Sequence, residues 1–473
     1  MINTFNLFVA TFLALCFTTG LQAQPPAPTI KQLFGFACHA NTKACPDGKS
    51  PNSLIQSADG NFYGTTPFGG TGNQAAGTVF KITPSGQLST VYTFVADQKG
   101  NYPNGDGPNS LLEGNDGFLY GTAVGGGANN QGVVFKLSHG GDIHVLHSFC
   151  SLTNCADGNG PLTLLLANDG NLYGATMYSF PGTLFRITPA GAYTLLHTFN
   201  LKVDGPQCIG MALASDGNMY GTTLGARDLL TVLFRLTPAG QFTVLQTIHY
   251  AQFPVSAPIQ ALDGKLYGGL SRFEHQAEPG LFASSLSGSD FRDILLSSFA
   301  FGDYVAYMTS ASDSNLWSVI FGNSLQSEVI SLSTDGKLLQ TATFDGTNGA
   351  NPDAPLVQGS DGTFFGVTEL GGSVHRGDLS SGVVFTLNAG LDAPKPAFVS
   401  FKPSRGKVGM RVMLNGSHFV GTTAVTFNGV RTTFRVLNTG NILATVPQGA
   451  TTGPIGVTNP GGTTTSKKTF TVE

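Results

Sequence analysis

The sequence is short of charge. Lys, Arg, Asp and Glu make up only 11% of its 473 residues, and the formal net charge is −4. No basic cluster occurs beyond Lys467 and Lys468. So weak a field lacks the electrostatic footprint of a nucleic-acid or anionic-membrane binder, and no nucleic-acid partner is expected. Long apolar runs are lacking too. The one candidate, Leu7–Phe17, falls short of the roughly 20 residues needed to span a bilayer, so no transmembrane segment is expected in the mature chain. Neither G-x-S-x-G, H-E-x-x-H nor a P-loop is present, which removes the common hydrolase, metalloprotease and nucleotide-binding signatures. No cofactor is expected.

What is present favours short strands and tight turns. Glycine is abundant (63 residues), and Thr, Ser and Asn fill the gaps between apolar residues, a balance unsuited to long helices or to disorder. The run Leu7–Phe17 followed by "TTGLQAQPPAP", with Ala23 at a small-residue cleavage position, reads as a secretory signal over residues 1–23. Met1–Asn6 carries no Lys or Arg, so the only charge there is the terminal amine. Export predicts a secreted, cell-surface or periplasmic protein, expected to be a monomer. It also favours disulfides, and two local ones are expected, Cys38–Cys45 and Cys150–Cys155, each following a strand that ends in Phe. A zinc site competes for these cysteines, but no His or Cys cluster has ligand spacing. Cys208 is left over as a buried small residue.

One element recurs through the chain. "DGNFYG" at Asp59 returns as variants at Asp116, Asp169, Asp216, Asp263, Asp313 and Asp361. Each is followed by a run such as "GTVFKITPSG", and most units then close on a run such as "TVYTF". A period near 50 with four short strands per unit predicts a seven-bladed β-propeller over residues 24–390. The Asp-Gly and Pro-Ser-Gly steps read as hairpin turns in which glycine supplies the positive φ. The Tyr of "YG" is expected between adjacent sheets. The seventh unit lacks an outer strand, whereas Ile30–Phe36 is an orphan one. Pairing of Ile30–Phe36 with 382–388 would therefore close the ring and hide its sheet edges.

The motif "SLIQSADGNFYGTT…GTVFKITPSGQLSTVYTF" resembles the GloVer tandem repeat of exported bacterial proteins over about Ile30–Gly390, with units five and six departing from it. That resemblance implies a repeat-built exported protein and carries no catalytic residues. After a Pro-marked linker, 391–396, residues 397–473 show alternating strand patterns such as "RVMLNG", "AVTFNG" and "PIGVTN", as expected of an immunoglobulin-like sandwich. Pro403–Gly406, Gly409, Leu414–Phe419, Val425–Gly429, Val446–Pro447 and Gly453–Asn459 resemble the IPT/TIG family, which implies a spacer or adhesion module.

Chemistry is sought on the long, unrepeated loops, which a propeller gathers on one face. Glu274, His275, Glu369 and His375 are the candidates for acid–base work. Arg227, Asp228, Arg272, Arg376 and Asp378 are the candidates for a binding face. Asp106 and Asp157 recur in inter-blade loops and are calcium candidates, with one carboxylate per loop too few for a strong site. His147 and His197 are expected to be packing residues and Trp317 blade core. The expected role is binding or adhesion toward a glycan or protein partner, with a hydrolase or lyase acting on a polysaccharide or small substrate, or a plain scaffold or spacer, as alternatives.

Overall fold

In a computed structural model, the aspartate of each repeat folds back onto its own tyrosine. The phenol of Tyr63 donates to Asp59 Oδ2 at 3.0 Å, and the same bond is made by Tyr120 to Asp116, Tyr173 to Asp169, Tyr220 to Asp216 and Tyr267 to Asp263, at 2.7–2.8 Å. Buried hydroxyls require an acceptor, and the turn supplies one four residues upstream. The ring itself packs against the next blade: Tyr63, fully buried, lies among Leu111, Leu119 and Phe135. The glycine after the tyrosine makes room for the phenylalanine of the neighbouring strand. A Cβ on Gly64 would stand 2.3 Å from Phe80 Cζ, and Gly64 is the cross-strand partner of Phe80.

The sixth repeat, "DSNLWS", keeps the logic with different letters. Trp317 Nε1 donates to Asp313 Oδ2 at 3.2 Å in place of the phenol. Ser318 replaces the glycine, and its cross-strand partner is Ile330 where other blades have Phe. A smaller neighbour tolerates the added side chain, so the two changes compensate. In the seventh, Phe365 has no hydroxyl, and Asp361 accepts from Thr363 instead.

The structure describes residues 27–473 apart from 73, 179–180, 225–229, 249–251, 255, 273–278, 297–298, 300–302, 322–326 and 375–377. It is all β: seven blades of a propeller, then an immunoglobulin-like sandwich. The blades are successive antiparallel four-stranded sheets, the first being Ser53–Gln56, Phe62–Thr66, Thr78–Ile82 and Leu88–Thr93. In the fifth and seventh the inner strand is split, as Gln252–Pro254 with Ile259–Gln260 and as Ala350–Pro352 with Val357–Gln358. The outer strand of the seventh blade comes from the start of the chain. Thr29–His39 runs antiparallel to Asp378–Asn388, with Ile30 opposite Leu387 and Gly35 opposite Val383. The pairing extends past Phe36 to His39 opposite Asp378, so it runs up to the Cys38–Cys45 bridge. The second bridge joins Cys150 to Cys155.

The sandwich places Ala397–Lys402, Arg411–Ser417, Asn441–Thr445 and Phe434–Asn438 in one sheet. The other holds Arg405–Gly406, Gly462–Val472, Gly453–Asn459, Ala424–Phe427 and Val430–Arg431. Its core includes Phe401, Val412, Phe419, Phe427, Ile442 and Phe470.

The first of the repeated turns also sets an acid sensitivity. Burial alone would raise the Asp59 carboxyl, but donors from Asn61, Lys81 and Tyr63 outweigh it and hold it down to about 2. A folded value below the unfolded one of about 3.9 means this contribution is complete above pH ~4 and is lost as pH falls toward 2. Asp59→Asn is therefore expected to flatten the decline in melting temperature between pH 4 and 2 relative to wild type. An unchanged slope in a pH series of thermal melts would remove Asp59 from the explanation.

Candidate functional site

The two ends of the propeller are unlike. The Asp-Gly turns form one end, and the C-terminal sandwich docks there. Asn438 Nδ2 donates to the Glu113 carbonyl at 3.2 Å and to Asn115 Oδ1 at 3.0 Å, next to the second Asp-Gly turn. Ser312 Oγ donates to the Asp392 carbonyl of the linker at 2.9 Å. A cavity of about 190 Å³ remains between the domains, bounded by Ile55, Leu112, Glu113 and Leu213 of the blades and Asn438–Asn441 of the sandwich. Glu113 is a keystone of this end. Its buried carboxylate accepts from Ser57 Oγ and Ala58 N of the preceding blade, both at 2.8 Å. Burial pushes its carboxyl above the usual range, with those two donors opposing. Sequence reading assigned only tight turns to this face and foresaw neither the docking nor Glu113.

The loops between the second and third strands and between blades form the opposite end. They are tied together by main-chain bonds, such as Tyr178 N donating to the Asn159 carbonyl at 3.3 Å and Lys49 N to that of Phe68 at 2.8 Å. This face also carries exposed apolar side chains: Phe68 (58%), Leu152 (51%), Tyr178 (63%), Val203 (60%), Leu370 (48%) and Leu379 (55%).

Of the acid–base candidates, Glu274, His275 and His375 lie outside the described residues, as do Arg227, Asp228 and Arg376. Arg272 ends the strand Leu266–Arg272 and Asp378 begins Asp378–Asn388, while their side chains are likewise outside the description. Glu369 is described, and the residues around it were missed in the sequence. Asn351 Nδ2 donates to Glu369 Oε2. Beside them the Tyr307 hydroxyl, reaching over from the sixth blade, donates to Asp353 Oδ1 at 3.0 Å. Burial pushes Asp353 up to about 6, with the Tyr307 bond lowering it and the charge of Glu369 raising it. Tyr307 is raised well above the ordinary phenol range, by burial first and then by Asp353. The signal was faint: Asp353 stands where other units have Pro, Cys or Val, and Tyr307 sits at a register break with φ +53°.

The calcium candidate Asp157 is differently employed. It is fully buried, and its Oδ2 accepts from Ser151 N, Ser151 Oγ and His147 Nε2 while Oδ1 accepts from Leu152 N. These four bonds give Asp157 a structural role that accounts for it without a metal. Asp106 is half-buried, and burial raises its carboxyl. Among the described residues no group of three His, Cys, Asp or Glu side chains is placed to hold a metal. His147 and His197 pack, as expected, on Tyr193 and Phe242 of the next blade, and each also bonds an inter-blade aspartate, Asp157 or Asp204. Cys208 is a buried free thiol, pushed up to about 12 by burial.

Residues 29–231 match the Gloeobacter/Verrucomicrobia repeat family, and residues 396–472 match the IPT/TIG domain. The matched segments thus give an architecture of Gloeobacter/Verrucomicrobia-type repeats followed by a C-terminal IPT/TIG domain. The repeat match stops within the fourth blade, before the two units whose letters depart most. No curated protein shows significant sequence similarity to the chain. Among solved structures, a fungal alcohol oxidase in complex with copper is 10% identical with a TM-score of 0.48, covering 93% of this chain and 99% of that one. A puromycin hydrolase is 14% identical with a TM-score of 0.47, covering 68% of this chain, which spans half of that one. The calcium-binding protein regucalcin from Agrobacterium tumefaciens is 13% identical with a TM-score of 0.37, covering 61% and 92%. Repeats, IPT/TIG domain and two disulfides together mark an extracellular binding or scaffold protein.

Proposed function

We propose that this is an exported binding protein that holds a glycan or protein partner on the loop face of its propeller, at the cell surface or outside the cell. One observation carries the reading. The IPT/TIG domain occupies the turn face, and the unrepeated loops with their exposed apolar side chains make up the other. Loops on a rigid scaffold are where recognition is usually placed, and exposed apolar side chains gathered on one face of a soluble protein mark contact surfaces. The test is a glycan array and partner-binding screen of the mature chain carrying Leu370→Asp on the loop face or Leu262→Asp on the turn face. Loss of binding with the first and retention with the second is expected. The reverse pattern would sink the reading.

A second reading, a secreted hydrolase or lyase, is favoured by Asp353. A carboxyl at about 6 beside Glu369 and Tyr307 can hold a proton near neutral pH and deliver it as a general acid. If it does so, polysaccharide cleavage should fall as pH rises through about 6, and Asp353→Asn should abolish that limb. Reducing-end release measured from pH 4 to 9 decides it. A flat profile, or activity undiminished in Asp353→Asn, rules this acid out.

A further inference from the structure

The loop face is chemically divided. In the sequence, its charged candidates fall in units four, five and seven. The sector of blades two and three includes the loops "GGGANNQG" (125–132) and "CSLTNCADGNG" (150–160), with Met177 and Tyr178 of a third. The only ionisable acid or base in those three loops is Asp157, which is fully buried and satisfied. These loops therefore expose little charge and are rich in side-chain amides, with the Asp106 carboxylate against Gly125 at their edge.

Within it Tyr178 is 63% exposed yet firmly seated. Its ring lies against Gly160, whose φ is +58° and where an added Cβ would stand 2.2 Å from Tyr178 Cδ2. The backbone beneath is cross-tied: Met177 N donates to the Gly160 carbonyl at 3.0 Å, and Gly160 N to that of Gln131 at 2.9 Å. Beside the ring, Asn159 Nδ2 donates to Gln131 Oε1 at 3.1 Å. The Cys150–Cys155 bridge and the Asp157 hub brace the loop that carries Asn159.

We infer that this sector is a subsite for a neutral glycan, with Tyr178 as the stacking platform and the Gln131 amide, held in place by Asn159, as a partner for sugar hydroxyls. The inference rests on the loop face being the binding surface and names its ligand class. A pyranose ring presents an apolar C–H face and a rim of hydroxyls. Tyrosine meets the first with a rigid, amphipathic surface that loses little entropy on binding. Amides meet the second because each both donates and accepts. Uronates and sulfated sugars would find no cation here to offset their charge.

Affinity electrophoresis of the mature chain through gels containing a soluble β-glucan, xylan or galactomannan, with polygalacturonate as the anionic comparison, tests this. At least one neutral polymer is expected to retard the wild type, and Tyr178→Ala is expected to weaken that by about tenfold. Tyr178→Phe should retain most of it, because the ring remains. Tyr178 is largely exposed, so thermal melts of both variants should stay close to wild type. Retardation by polygalacturonate alone, or equal retardation of wild type and Tyr178→Ala, overturns the neutral subsite. If Phe68→Ala or Leu370→Asp then weakens binding, the loop-face reading survives that failure. If only Leu262→Asp on the turn face does so, both readings fall together.

Discussion

Removing residues 27–39 is expected to abolish the folded propeller. This segment supplies the outer strand of the seventh blade and one half of the Cys38–Cys45 bridge. It also buries Phe36 completely, edge-on to Phe80 of the first blade with ring centroids 5.3 Å apart, and it packs Leu33 and Phe34 on the same core. Three or four such apolar side chains contribute about 5–12 kcal/mol on burial, comparable with the whole stability of a typical domain. Its loss would also strip Asp378–Asn388 of its partner and leave an apolar edge open to intermolecular pairing. A chain starting at residue 40, with Cys45→Ser to avoid a stray thiol, should aggregate and show no cooperative melt. Phe36→Ala offers a milder check and should cost about 3–5 kcal/mol in a denaturant titration. A truncated monomer melting within a few degrees of wild type would mean the ring does not depend on this closure.

Asp157→Ala is expected to be the most damaging single polar substitution. It would leave Ser151 N, Ser151 Oγ, Leu152 N and His147 Nε2 without their acceptor beside a fully buried site. Orphaned buried donors cost about 1–3 kcal/mol each, and because Ser151 and Leu152 are exposed and can turn partly to water, a total loss of about 2–3 kcal/mol is expected. Asp157→Asn keeps an acceptor oxygen and should recover part of it. The same titrations with and without calcium separate this role from metal binding. Calcium should leave the wild-type midpoint where it is, whereas a calcium-dependent rise absent from Asp157→Ala would restore the ligand reading.

Much of the candidate site was not legible in the sequence, for a physical reason. Glu369 could be singled out because it lies in a charged, unrepeated loop. Asp353 and Tyr307 come from different blades, and nothing in their local letters brings them within hydrogen-bonding distance. Burial then changes what the carboxyl can do, and burial belongs to the packed state. The docking of the IPT/TIG domain onto the turn face was invisible for a similar reason. Its contacts run through Asn438 to a backbone carbonyl and one amide, groups that carry no pattern in a chain rich in asparagine.

What the sequence by itself determined is the repeat and everything that follows from local spacing: seven blades, turns with glycine at positive φ, a strand missing at one end and spare at the other, two short-range cysteine pairs and a second domain. These depend on residues a few positions apart, or on a count. Only the tertiary structure decided why the repeat keeps its letters. The aspartate is there to receive the tyrosine hydroxyl, the glycine to admit a phenylalanine from the next strand, and Trp317 with Ser318 and Ile330 meets the same two demands in another way. The tertiary structure also decided which end of the ring stays uncovered by the second domain, because that follows from contacts between residues more than 300 positions apart.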